Sequence, residues 1–317
     1  MSRITYEEFS YNGKDFRMPI FPQEGGLIVT PEPMRVIDAA KSPIIGRMNT
    51  IWDLERFKEP ARPTQIADLT VEERRQFSSK SEAPDVLDMP IKFPGIAEYR
   101  IPGVYAQLLP AIRRIADFEA AVNPQYLDYW CYMTLRRGPV EPGTAHHEAP
   151  CHVDGFQGAR WRPKVRINHT YTLTDSLPTT YHLQPFDFVG LDEAKHDFFW
   201  EMNFQVAQAK SAFAWTGEPY VIELMDAYCV HRGTESETAA YRTWLRLSFE
   251  VRKFDRLGNA HNPLFDYDWK MVPRDIEALG LVPYRPGCDP TLRVFPWQSP
   301  DGRPNAPGVK TKPILKR

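Results

Sequence analysis

The hexapeptide CHVDGF at residues 151–156 places His152 and Asp154 one residue apart. An imidazole and a carboxylate at that spacing can share one face of an extended chain and hold a metal ion, or they can be two ordinary polar side chains at the start of a strand. With 41 acidic residues and eight histidines in 317 positions, about one His-x-Asp/Glu arises by chance. A second match, His146-x-Glu148, comes after VEPGTA in a loop-like context, without strand-forming residues on both sides to hold two ligands rigidly. Residues downstream of the first match give it weight. His231 comes 77 residues after Asp154 in YCVHRG, and Arg242 and Arg246 lie 11 and 15 residues beyond His231 in YRTWLRLSFE.

These residues need elements that bring them together. From Tyr126 onward the chain is rich in aromatic and β-branched residues broken by turn signals. YLDYWCYMTLRR, CHVDG, KVRINHTYTLTD, YHLQPFDF, PYVIELMD, AYCVHRG and YRTWLRLSFEVRKF each read as a short strand. LDEAKHDFFWEMNFQVAQAK interrupts them with a helix-like insertion. Alternation in the last strand sends Arg242, Trp244, Arg246 and Ser248 to one face and Leu245, Leu247 and Phe249 to the other. An apolar face belongs in a core, whereas a face carrying two cations needs another reason.

Upstream, VYAQLLPAIRRIADFEAAV spaces Leu108, Ile112, Ile115 and Phe118 three and four apart, which predicts an amphipathic helix against a sheet despite Pro110. TVEERRQF predicts a short helix with Thr70 as N-cap. The remainder of residues 1–100, broken by FPQEGG, TPEP, EPARP and MPIKFPG, reads as irregular structure with short elements. The expected organisation is one domain over 1–317: an irregular N-terminal segment (1–100), a helix plus jelly-roll core (104–254) and a loop-rich tail (255–317). The fold class is mainly β with flanking helices, its core a double-stranded β-helix, or jelly roll.

Composition bounds the rest. At 42% apolar and 13% aromatic content the chain can build a sizeable core. A formal charge of -2 gives no general electrostatic footprint for nucleic acid or an anionic membrane. No stretch approaches the roughly 18 apolar residues of a membrane span, and the N-terminus lacks a signal-peptide core, so a cytoplasmic location is expected. Cys131, Cys151, Cys229 and Cys288 show no metal or disulfide-framework spacing and are read as reduced thiols. No G-x-x-x-x-G-K-[ST], G-x-G-x-x-G or G-x-S-x-G occurs. The expected partner is a small-molecule substrate, and the tail could wrap the barrel, cover its mouth or build a homodimer contact.

The ordered set of His152-x-Asp154 followed by Gly155, several strands, His231 and then arginine on the next strand resembles the non-haem Fe(II)/2-oxoglutarate-dependent oxygenases. The resemblance covers roughly residues 126–254. It implies His152, Asp154 and His231 as catalytic iron ligands, with three positions left for co-substrate and O2. It further implies an arginine clamp for the distal carboxylate of 2-oxoglutarate, because a guanidinium matches a carboxylate with two parallel hydrogen bonds. The 11-residue spacing of Arg242 resembles the taurine dioxygenase and phytanoyl-CoA hydroxylase branches, whereas Arg246-x-Ser248 resembles the penicillin and cephalosporin oxygenases. Arg242 is favoured, leaving Arg246 for an anionic group of the substrate. Thr180, in LPTTYHL, falls where the taurine dioxygenase branch has a threonine on the same carboxylate. Trp244, Phe156 and Trp161 are candidate pocket walls. Related halogenases carry Ala or Gly in place of the acidic ligand, so Asp154 implies hydroxylation or desaturation of a small polar substrate, such as an amino acid or natural-product intermediate. Two alternatives stay open: a cupin-like metal enzyme that does not use 2-oxoglutarate, and a non-enzymatic jelly-roll binding module.

Overall fold

A computed structural model describes residues 4–11, 14–23, 25–32, 41–79, 83–146, 150–154, 165–191, 198–209, 211–269 and 271. Among them the strands are β1 (Thr5–Tyr11), β2 (Lys14–Ile20), β3 (Leu27–Val29), β4 (Thr64–Asp68), β5 (Val86–Lys92), β6 (Tyr99–Ile101) and β7 (Trp130–Val140). They continue as β8 (His169–Thr174), β9 (Thr180–His182), β10 (Ala214–Thr216), β11 (Val221–Asp226), β12 (His231–Arg232) and β13 (Ala240–Glu250). The helices are α1 (Pro43–Arg47), α2 (Val71–Phe77), α3 (Leu109–Val122) and α4 (Phe198–Ala209). The protein is mainly β, and its strand pairs are antiparallel.

A six-stranded sheet in the order β4-β11-β8-β13-β7-β5 forms the larger layer, and a three-stranded sheet in the order β10-β9-β12 the smaller. β13 lies between β7 and β8, with Leu245 opposite Leu135 and Leu173, and Leu247 opposite Met133 and Tyr171. Directly opposed residues share a face, so this alternation makes one continuous apolar surface. It packs in a single core with Ile112, Ile115 and Phe118 of α3. The predicted helix over 104–122 is thus present but starts later: a 3-10 turn occupies Gly103–Leu108, and Pro110 stands in the first turn of α3. Proline is tolerated there because the first amides of a helix have no intrahelical acceptor. α2 forms as predicted, with Thr70 and Glu73 in a reciprocal capping box.

Two expectations change. The first hundred residues are not merely irregular, since β4 and β5 form the two edges of the large sheet. β5 is buried along nearly its whole length and contains Pro90, so it shows no alternation to read. Its pairing with β7 shifts register twice, and an edge strand with bulges is where proline is accommodated. The described part of CHVDG, residues 151–154, is no ladder strand: His152 makes an isolated antiparallel bridge to His231. Much of the tail, including VPYRPGCDP, lies outside the described residues. Its described part stacks Phe265 on Phe93 at 4.2 Å, with Tyr267 and Trp269 beside them, over the β5–β7 edge.

Candidate metal centre

The bridge between residues 152 and 231 is reciprocal. His152 N donates to His231 O, and His231 N to His152 O, each at 2.9 Å. This backbone pairing sets the two imidazoles side by side, with ring centroids 4.4 Å apart. Asp154 then reaches the same space, its Oδ1 4.0 Å from His231 Nε2. Among the described residues these three form a group of metal-ligating types whose ligand atoms all lie within 4.8 Å of one another.

The hydrogen bonds around the rings decide which nitrogens face the centre. His152 Nδ1 lies 2.8 Å from Pro150 O and His231 Nδ1 2.9 Å from Cys229 O. A carbonyl only accepts, so each Nδ1 is the donor, and each neutral ring turns an unprotonated Nε2 outward. Burial pushes both imidazoles below their ordinary range, His231 to about 4, with the neighbouring His152 adding to the effect there. Burial pushes the Asp154 carboxyl up, but the Arg246 guanidinium and the two imidazoles outweigh it and hold the group below the usual carboxylate value. Asp154 Oδ2 is buried without a hydrogen-bond partner. Two imidazole lone pairs and a lone carboxylate oxygen fit a divalent transition metal, which would satisfy the orphaned oxygen.

Arg246 meets this carboxylate from β13. Its Nη1 donates to Asp154 Oδ1 at 3.1 Å, and its Nη2 to Asp88 Oδ1 at 2.8 Å and Thr134 Oγ1 at 3.3 Å. The guanidinium is therefore held between two carboxylates, which removes the basis for assigning it to an anionic substrate. Asp88 was not foreseen. It sits in the bulged part of β5 with φ +46°, a left-handed conformation that Asp tolerates better than most residues. Thr134, by contrast, is opposite Arg246 in the β7–β13 ladder, so its role is implied once that pairing is known.

Arg242 differs from Arg246. It is 4% exposed, donates from Nε to Ser176 O at 3.2 Å, and forms no ion pair among the described residues. Burial pulls its pKa down to about 10 against the opposing pull of Asp175 and Tyr181. A buried cation without a salt bridge is costly, and an incoming carboxylate would offset that cost. Trp244 lies between the two arginines, 5.8 Å and 5.5 Å from their guanidinium carbons, and Ser248 is buried beyond Arg246. Thr180 Oγ1 lies 2.6 Å from Thr234 Oγ1 and 3.2 Å from Thr216 Oγ1. Phe156 and Trp161 lie outside the described residues, as does Glu148 of the second His-x-Glu pair. His146 is pushed down to about 4 by burial and then by Arg242 and Arg136. Its Nε2 lies over Gly138, where a Cβ would come within 3.4 Å of it.

No family model matches the chain, and no curated protein matches it. Among solved structures it is similar to EvdMO1, with 15% identity and a TM-score of 0.23 over 38% of this chain and 26% of EvdMO1. The chain thus spans about a quarter of that protein's length. It is similar to AviO1 from Streptomyces viridochromogenes Tue57 at 12% identity and a TM-score of 0.35, covering 68% of this chain and 96% of AviO1. It is also similar to the non-heme monooxygenase ThoJ in its nickel complex at 13% identity and a TM-score of 0.34, covering 75% of this chain and 90% of ThoJ. The case for chemistry in this chain rests on its own His152, Asp154 and His231.

Proposed function

We propose that the protein is a mononuclear non-haem oxygenase that takes Fe(II) at His152, Asp154 and His231 and uses 2-oxoglutarate and O2 as co-substrates. The observation that carries this reading is the grouping of two histidines, each with its Nδ1 committed to a backbone carbonyl, and a buried carboxylate, with ligand atoms that all lie within 4.8 Å of one another. Bound iron would supply oxidative decarboxylation of the co-substrate and, with it, oxidation of a C–H bond. The chain's own residues hold the ligands and orient the co-substrate. Pro150 O and Cys229 O fix the two tautomers, Arg246 orients Asp154, and the unpaired Arg242 is the clamp for the distal carboxylate of 2-oxoglutarate.

The two antiparallel sheets, with Asp154 and Arg246 meeting between them, support a jelly-roll reading of the fold. The substrate class is a small polar molecule, hydroxylated or desaturated in the cytoplasm. With Arg246 paired to Asp88 and Asp154, its anionic character loses its main support.

Anaerobic titration tests the reading. Fe(II) added to metal-free protein, followed by 2-oxoglutarate, is expected to produce the weak visible charge-transfer band of the chelate. The band disappears in His152→Ala, whereas Arg242→Ala keeps iron and needs at least tenfold more 2-oxoglutarate. Iron binding without the band moves the cupin-like alternative ahead, and full affinity for 2-oxoglutarate in Arg242→Ala removes the assigned clamp.

A further inference from the structure

Glu223 lies on β11 in the same transverse row as the candidate centre. The ladders place Thr134 opposite Arg246, Arg246 opposite Thr172, and Thr172 opposite Glu223. These four side chains therefore share the sheet face from which Arg246 meets Asp154. Glu223 is 3% exposed, a position a lone carboxylate rarely occupies.

Tyr181 reaches Glu223 from the smaller sheet. It is the ladder partner of His231, with ring centroids 5.8 Å apart, so its ring packs beside one proposed ligand. Its hydroxyl donates to Glu223 Oε2 at 3.2 Å and lies 3.4 Å from Thr172 Oγ1. The same phenol is one of the groups that Arg242 feels electrostatically. Glu223 Oε1 is buried without a partner, and it presses so closely on Gly217 that a Cβ there would collide with it. Only glycine lets the backbone close over this carboxyl.

The charges around Glu223 do not compensate it. Burial raises its pKa to about 7, while the Tyr181 hydroxyl, the Glu218 backbone amide and Arg62 pull it down without prevailing and the Glu218 charge adds a smaller push upward. Thr172 of β8 and Trp244 of β13, which line the same small cavity, bring no charge. Neither does Gln65, its ladder partner on β4.

A phenol has one proton to give. When Glu223 is ionised, the Tyr181 proton is committed to it. When Glu223 is protonated, the carboxyl donates to the phenol oxygen and the Tyr181 hydroxyl is released to donate elsewhere. We infer that Tyr181 and Glu223 form a proton-gated subsite, in which a carboxylate held by Arg242 binds together with one proton that Glu223 keeps. This rests on the reading of Arg242 as a carboxylate clamp. Glu223 and Tyr181 are positioning residues: the anion prefers the protonated form, so its affinity is level below the Glu223 pKa. Above that pKa it falls about tenfold per pH unit.

The test is calorimetric titration of the anaerobic Fe(II)-loaded protein with 2-oxoglutarate and, separately, with succinate, at pH 6.5, 7.5 and 8.5. Buffers of unequal ionisation enthalpy report the protons taken up. The wild type is expected to take up close to one proton per anion at pH 8.5 and to lose affinity toward tenfold between pH 7.5 and 8.5. Glu223→Gln, whose amide keeps the shape, should bind with no proton uptake and a flat pH profile. Tyr181→Phe should bind more weakly at pH 6.5 and lose the pH dependence. A flat wild-type profile, or a wild-type-like profile in Glu223→Gln, overturns the subsite. A charge-transfer band without proton uptake overturns it alone. Proton-linked succinate binding without any band leaves it standing and sinks the 2-oxoglutarate reading instead. Binding of neither anion sinks both.

Discussion

Arg246 spans two carboxylates from distant parts of the chain, Asp88 on the edge strand and Asp154 in the metal triad. Burial works against its charge, and the two carboxylates outweigh that effect and raise its pKa. Removing one partner of a buried charge pair leaves the other uncompensated, typically at about 3–5 kcal/mol. Arg246→Ala is accordingly expected to lower the urea unfolding free energy of the metal-free protein by about that amount. A divalent metal should restore part of the loss, because it gives Asp154 a new counter-charge but does not replace the guanidinium at Asp88. Equal losses with and without metal would separate Arg246 from the site. His152→Ala should show the opposite pattern, with a small change in metal-free stability and no response to metal.

At the scale of elements, β13 does two jobs with one alternation, lining the core with Leu245, Leu247 and Phe249 and the site with Arg242 and Arg246. That pattern is legible in the sequence because successive side chains of a strand face opposite ways. β5 is not legible, because it is buried on both faces and its register is broken twice around Asp88. α2 is legible from local chemistry alone. Thr70 Oγ1 accepts from Glu73 N at 3.3 Å, while Glu73 Oε2 accepts from Thr70 N at 2.7 Å. Glu73 also accepts from Arg114 of α3. Thr70→Ala should cost about 1 kcal/mol in urea unfolding. It should leave metal affinity unchanged, since α2 contributes no ligand. A matching loss of metal affinity would tie this helix to the centre.

For the molecule as a whole, burial of neutral histidines makes stability depend on pH. Burial pushes His231 and His182 from the ordinary 6.5 down to about 4. The unfolded chain then binds these protons at higher pH than the folded one does. Their contribution to stability is full above pH 6.5 and is lost as pH falls toward 4. The urea midpoint of the metal-free protein should fall across that window, and a level midpoint would show that these rings are charged or solvated. A metal that binds only the folded centre should add about 2.7 kcal/mol at a hundredfold excess over its Kd. That increment shrinks only as pH approaches about 4, where protons begin to compete for the His231 lone pair. Thermal unfolding with metal and with a chelator measures it.

The sequence by itself determined what depends on neighbours along the chain: the two faces of β13, the apolar stripe of α3, the cap of α2 and the ordered set of His152, Asp154, His231, Arg242 and Arg246. Each arises from helical or strand periodicity acting over a few residues. Only the tertiary structure decided the contacts that strand order and register create. It set His231 against His152 through one isolated bridge. It also brought Asp88 from the edge strand to Arg246, leaving Arg242 buried without a salt bridge among the described residues. Tyr181 and Glu223 likewise meet although β9 and β11 belong to different sheets. Such pairs carry no local spacing, since a one-residue slip in any ladder would turn the same side chains to the opposite face.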